Sequence, residues 1–392
     1  MIKRYLEKYI LDDLRDKMVF ISGPRQVGKT TLAKEIGEKS FRGDCAYLNW
    51  DNRLDRKAIL GESFPADKKL FIFDEIHKYK GWKNYLKGEY DKYKDKFSIL
   101  MTGSARLDIY RRGGDSLLGR YHSYCLHPLS LAELLGSGSD FSPSGSLVFS
   151  DKEKECRGFF KALLKFGGFP EVFSKQEDRA LRRWHNQRID RLIKEDIRDI
   201  ENLRDISALQ VLAELLPEKA GSLFSLNSLR EDLKVTHKTV SSWVDILERF
   251  YYHFRVYPFQ NSRIKSLRKE PKLYLWDWSE IKDEGVRFEN MMASHLLKFC
   301  GFLSDAQGYK ARLYYLRDKE QREVDFLVSI DNKPWFCVEV KLSSKEIPSS
   351  LRYFADRLKT SLAFEVVREE GIDLIRDNIR VISASKFLSA LV

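Results

Sequence analysis

The sequence predicts a multidomain α/β protein, and three observations carry the prediction. An apolar run, a glycine-rich loop and a helical pattern follow one another in MVFISGPRQVGKTTLAKEIGEK, from Met18. A second apolar run, Leu70 to Phe73, stops on the acids Asp74 and Glu75. Near the other end, QREVDFLVSIDNKPWFCVEVKLSS alternates apolar and polar residues about a polar turn, Asp331-Asn332-Lys333. Unbroken apolar runs read as strands covered on both faces of a parallel sheet, and alternation reads as half-covered strands. At ~100–200 residues per domain, a chain of 392 residues makes several folded units.

Composition narrows the class. The chain is 43% hydrophobic and 32% charged with only 22 Gly and 10 Pro, which excludes a disordered chain and predicts closely packed domains with short loops. A formal charge of +11 favours polyanionic partners. Cys45, Cys125, Cys156, Cys300 and Cys337 are scattered, with no C-x-x-C pair. Neither a disulfide framework nor a zinc site is expected, and a reducing, cytoplasmic setting is. The N-terminus mixes both charges without the apolar centre of a signal peptide, and no run approaches the ~18 apolar residues of a membrane span.

The first loop is the informative one. Gly23-Pro24-Arg25-Gln26-Val27-Gly28-Lys29-Thr30, with Thr31 after it, matches G-x-x-x-x-G-K-[ST] in full, between a strand and a helix. Glycines let backbone N–H groups turn onto phosphates, Lys29 reaches the β- and γ-phosphates of ATP, and Thr30 offers a hydroxyl to Mg²⁺. Asp74 is expected in the magnesium shell and Glu75 beside the attacking water. A third strand, FSILMTGSAR, places Thr102 and Ser104 where a polar group senses the γ-phosphate; capping the next turn is the alternative. Arg106, Arg111, Arg112 and Arg120 form a basic cluster, from which Arg120 is the expected arginine finger, with a solvated face the alternative for Arg111 and Arg112.

GPRQVGKTT, FIFDEIHK followed by Trp82, MTGSAR, and GRYHSYCLHPLSLAELL (Gly119 to Leu135), with GGFPEV (Gly167 to Val172), GVRFENMMASHLL and EVDFLV, resemble the archaeal and bacterial AAA+ type ATPases with a C-terminal domain of unknown function. The resemblance covers nearly the whole chain. It implies an AAA-like P-loop NTPase core with a five-stranded parallel sheet, a helical lid, a winged helix, and a C-terminal α/β domain similar to PD-(D/E)XK nucleases. It also implies assembly into a homo-oligomer, since an arginine finger acts in trans. His127 departs from the Phe usual before Pro-Leu-Ser, which reads as packing variation.

The expected boundaries follow. The Gly/Ser/Pro-rich stretch from Gly136 to Ser150 closes a P-loop unit at 1–150, and a helical lid runs over 151–216. Leu181, Trp184, Ile189, Leu192, Ile193, Ile197 and Ile200 recur at broadly helical spacing within that lid. Residues 217–278 read as the winged helix: two helices, then a hairpin whose basic turn holds Arg263, Lys265, Arg268, Lys269 and Lys272. His237 and Lys238 on the second helix, with that turn, are the candidate DNA contacts; a protein-docking role is the alternative.

Residues 279–392 form the last unit. With the hairpin centred on Asn332, Asp325 lies opposite Glu339, and Lys341 follows on the same face. These three, with Glu289 on the preceding helix, match the nuclease-like pattern of two carboxylates and a lysine about a divalent ion. An alternating, solvent-facing hairpin is the other reading. Three functions stay open: an ATPase that engages DNA, an ATP-gated metal-dependent endonuclease, and a nucleotide-controlled docking switch.

Overall fold

The computed structural model describes residues 2–61, 67–104, 117, 119–136, 145–197, 205–260, 266–267, 269–344 and 346–392. Its N-terminal part is built on a five-stranded sheet in the order β2-β3-β4-β1-β5. The strands are β1 (Met18–Ser22), β2 (Cys45–Asn49), β3 (Leu70–Asp74), β4 (Ser98–Gly103) and β5 (Tyr121–Cys125). Every pairing between them is parallel, as expected. Because strand side chains alternate, each strand feeds two cores. Val19, Ile21, Ile72 and Leu100 pack with Leu32, Ala33 and Ile36 of helix α2 (Lys29–Lys39). Phe20, Phe71, Phe73 and Met101 pack on the opposite face with Trp82 and Leu86 of α4 (Trp82–Tyr93). The preceding α1 (Glu7–Asp13) adds Leu6, Ile10 and Leu14 to the first core, and α3 (Arg53–Leu60) follows β2.

After the short α5 (Leu131–Leu135), the middle of the chain is helical: α6 (Glu153–Phe166), α7 (Pro170–Lys175), α8 (Asp178–Arg191), α9 (Ile206–Leu215), α10 (Leu226–Leu233) and α11 (His237–Arg249). Helix α8 runs into a wider π turn at Leu192–Ile197. In α11, Thr236 caps the first turn by accepting from the Thr239 N–H, and Val240, Trp243, Val244 and Leu247 form its buried face. The antiparallel pair β6 (His253–Pro258) and β7 (Lys272–Leu275) follows α11, which is the helix-helix-hairpin order.

That hairpin does not stand alone. It forms one edge of an eight-stranded sheet ordered β12-β13-β11-β10-β9-β8-β6-β7, so the sheet runs across residue 278. The other strands are β8 (Ala311–Arg317), β9 (Glu323–Ile330), β10 (Lys333–Lys341), β11 (Leu362–Val367), β12 (Asp373–Arg376) and β13 (Ile379–Ser383). Phe326, Val328, Phe336 and Val338 face the long α12 (Glu284–Asp305), while Leu327 and Cys337 face α13 (Ser349–Leu358). The short α14 (Ala384–Leu388) ends the fold.

The β9–β10 turn differs in detail from the expected three-residue one. Asp331 and Asn332 alone make it, both at positive φ (50 and 66), the two-residue turn that Asx residues favour. A bulge between Pro334 and Phe336 absorbs one residue, so that Phe336 still faces Val328 and Val338 faces Phe326. Among the described residues no helix is long and apolar enough to cross a membrane.

Candidate functional site

The loop between β1 and α2 lies at the carboxyl edge of the parallel sheet, where ligands collect in such folds. Gly23 (φ 144) and Gly28 (φ 99) shape it. A Cβ on Gly23 would stand 2.4 Å from the Leu126 carbonyl oxygen, so any other residue forces the loop off the sheet. Lys29 Nζ is buried against the carbonyl oxygens of Gly23 (2.9 Å) and Pro24 (2.8 Å). The ammonium is thus held inside the loop. Arg25 and Gln26 are half-buried, Val27 is buried and Thr31 is exposed.

Asp74 is the hub beside the loop. Its Oδ2 accepts from the Thr30 hydroxyl at 2.9 Å and the Tyr47 hydroxyl at 2.5 Å, and its Oδ1 accepts from the Thr102 hydroxyl. Thr102 therefore lies within β4 as Asp74's neighbour, and Ser104 is buried just after the strand. Tyr47, from β2, was not foreseen; burial and the Asp74 carboxylate push its hydroxyl pKa up. A hydroxyl-plus-carboxylate pair of this kind is the oxygen donor set that suits Mg²⁺, so Thr30 and Asp74 fit that ion. Glu75 follows at φ 56, which turns its carboxylate toward His77 Nε2 at 3.4 Å. Burial drives His77 down to about 3, so the ring is neutral at neutral pH.

A second network locks the loop from behind. Arg4 Nη1 donates to the Val27 carbonyl (2.7 Å), Nη2 to the His127 carbonyl (2.6 Å), and Nε to Glu133 Oε1 (2.7 Å). Glu133 Oε2 also accepts from Lys298 Nζ of α12 at 2.6 Å. Burial alone would raise the Glu133 carboxyl, but the charges of Arg4 and Lys298 outweigh it and hold it below the usual range. The His127 ring packs on Trp276, 4.6 Å between centroids, in keeping with a packing role.

Arg120 directly precedes β5, at the end of the sheet where β1 begins and away from this chain's own loop, and forks onto Asp91 (2.8 and 3.0 Å). Arg106, Arg111 and Arg112 lie outside the described residues. So do Arg263, Lys265 and Arg268 of the basic turn. His237, Lys238 and Lys269 are exposed. Lys272 is a correction: it starts β7 and is buried, because its ammonium is drawn into a group of carboxylates.

That group contains the nuclease-like residues, which the fold does bring together. The Asp325 N–H donates to Glu339 Oε2 at 3.4 Å, and Val340 N–H to Asp325 Oδ2 at 2.9 Å. Lys341 Nζ pairs with Glu339 Oε1 at 2.7 Å, and Glu289 accepts from the Tyr274 hydroxyl at 2.7 Å. Burial first, then the Asp325 charge, raises both Glu289 and Glu339 to about 7.

A five-stranded parallel sheet with this loop after β1 makes the N-terminal unit an α/β, AAA-like P-loop ATPase fold, the class whose shared property is binding ATP. Residues 15–135 match the family described as "AAA domain". Residues 158–279 and 284–387 match two families each described as a domain of unknown function (DUF8612 and DUF4143). Similar whole chains include "Uncharacterized protein MJ1544" of Methanocaldococcus jannaschii, 27% identical over 84% of this chain and 77% of that protein. Another is "Uncharacterized protein Rv2008c" of Mycobacterium tuberculosis, 22% identical over 86% and 73%. Among solved structures, AMPPCP-bound DnaA from Aquifex aeolicus superposes loosely, with a TM-score of 0.29 at 15% identity over 62% of this chain and 86% of that one. The Thermotoga maritima RuvB Holliday junction branch migration motor scores 0.30 at 16% identity over 64% and 88%.

Proposed function

We propose that the chain hydrolyses ATP at the β1–α2 loop and engages DNA through its C-terminal half. The observation that carries the first part is the Lys29–Thr30–Asp74 arrangement beside Glu75. Lys29 exchanges its two loop carbonyls for β- and γ-phosphate oxygens when ATP enters, and the loop N–H groups meet the remaining charge. Thr30 and Asp74 would hold Mg²⁺, which would supply positive charge against the phosphates. Glu75 swings from His77 to a water in line with the γ-phosphorus and accepts its proton. Water oxygen bonds to phosphorus, the bond to the bridging oxygen breaks, and ADP leaves with the electron pair. Thr102 on β4 and Ser104 just after it sense the γ-phosphate, and Arg120 serves a neighbouring subunit's nucleotide, in keeping with its place far from its own loop.

The DNA part is supported by the +11 charge and by exposed His237 and Lys238 at the start of α11, with Lys269 in the turn after β6. Phosphate contacts release counterions, so log affinity for duplex DNA should fall linearly with log salt, by about 0.9 per phosphate met. Fluorescence anisotropy at several salt concentrations checks this, and binding insensitive to salt would contradict it. ATP turnover with and without DNA tests the whole reading: turnover that Glu75→Gln abolishes is expected, and no turnover under any condition sinks the hydrolytic part.

A further inference from the structure

The carboxylate cluster of the C-terminal sheet already contains a cation. Lys272 Nζ, on a side chain only 5% exposed, lies 2.7 Å from Glu323 Oε1 and 3.5 Å from both Glu289 Oε1 and Asp325 Oδ1. Its three N–H donors thus meet three carboxylates, from α12 and β9. Around them, the Tyr274 hydroxyl also donates to Glu289 Oε1, Arg317 Nη1 holds Glu323 Oε2 at 2.6 Å, the Val340 N–H holds Asp325 Oδ2, and Lys341 pairs with Glu339 Oε1. The nuclease resemblance implies a divalent ion on Glu289, Asp325 and Glu339. Carboxylates hold Mg²⁺ at ~2.1 Å, and an ammonium among the same oxygens leaves neither the room nor the field for it. Among the described residues, no group of three or more His, Cys, Asp or Glu is arranged to hold a metal. The residues therefore do not fit the implied ion.

We infer that Lys272 is the built-in cation of this cluster, paired with Glu289, Glu323 and Asp325, tying β7 to α12 and β9, and excluding the divalent ion that phosphodiester cleavage here would require. The inference is independent of the ATPase reading. It makes the C-terminal unit a nuclease-like scaffold whose acids are spent on an internal ion pair, and it turns the cluster into a latent cation site that removal of one ammonium opens.

The test uses nucleotide-free full-length protein titrated with Mn²⁺, free ion being followed by electron paramagnetic resonance, in wild type, Lys272→Met, Lys272→Arg and Lys272→Met/Asp325→Asn. Wild type and Lys272→Arg should show no site that depends on Asp325. Lys272→Met should gain one, about tenfold or more tighter than any wild-type binding, because freed carboxylates become ligands. Asp325→Asn in that background should remove it. Since Lys272→Met leaves like charges buried together, thermal unfolding of the same samples is a second readout: Mn²⁺ should raise the Tm of Lys272→Met and leave wild type unmoved. Three results would overturn the inference: an Asp325-dependent Mn²⁺ site in wild type, a folded Lys272→Met that gains none, or wild-type nicking of DNA lost in Glu339→Ala. The first and third compare wild type with Asp325→Asn and with Glu339→Ala, so they decide the matter even if Lys272→Met does not fold.

Discussion

Glutamine in place of Glu75 is expected to cut ATP turnover by about 10²–10⁴-fold while ATP remains bound, the usual yield of a positioned base. That loss is worth roughly 3–5 kcal/mol of barrier. The two side chains are nearly the same size, so the Glu75–His77 contact has an amide counterpart and the loop geometry is kept. What goes is the group that can take the proton of the attacking water. Single-turnover hydrolysis and equilibrium ATP binding, measured together, check the split. Equal loss of both would mean that Glu75 supports the loop instead of the reaction.

The second large effect is on stability. Arg4→Ala removes one of the two cations on buried Glu133 and leaves the Val27 and His127 carbonyls without their donor. Breaking a buried ion pair on one side costs about 3–5 kcal/mol, because a desolvated charge is left uncompensated. Calorimetry should show a Tm lower by on the order of 10 °C. The same change loosens the loop that carries Lys29, so the KM for ATP should rise as well. Arg4→Lys keeps the charge but not the fork, and should fall between the two. A Tm within about a degree of wild type would show that the network carries little of the fold, against the buried-pair expectation.

The legible parts of this chain were those written in local sequence. The glycine loop, the Leu70–Phe73 run ending on Asp74, and the pairing about Asn332 depend on residues a few positions apart, where period and turn chemistry decide. The register survived even a misjudged turn, because the bulge between Pro334 and Phe336 restored it. The less legible parts depend on chain distance. Arg4 and Glu133 are 129 residues apart, and no local pattern separates Arg4 from its solvated neighbours Lys3 and Lys8. Tyr47 reads as one more alternating strand residue until the sheet order sets β2 beside β3. Lys272 was the instructive case. In a run of basic residues it looked like one more exposed wing cation, and only the 53-residue link to Asp325 shows it buried as a counter-ion.

The central claim is that the β1–α2 loop grips a triphosphate through Lys29. Equilibrium binding of ATP with Mg²⁺ to wild type and Lys29→Ala, by calorimetry on folded protein, tests it most directly. Loss of a charge-assisted contact of ~1.5–3 kcal/mol predicts affinity at least about tenfold weaker in Lys29→Ala, with turnover abolished. ATP bound equally well and hydrolysed equally fast by both proteins would contradict the account.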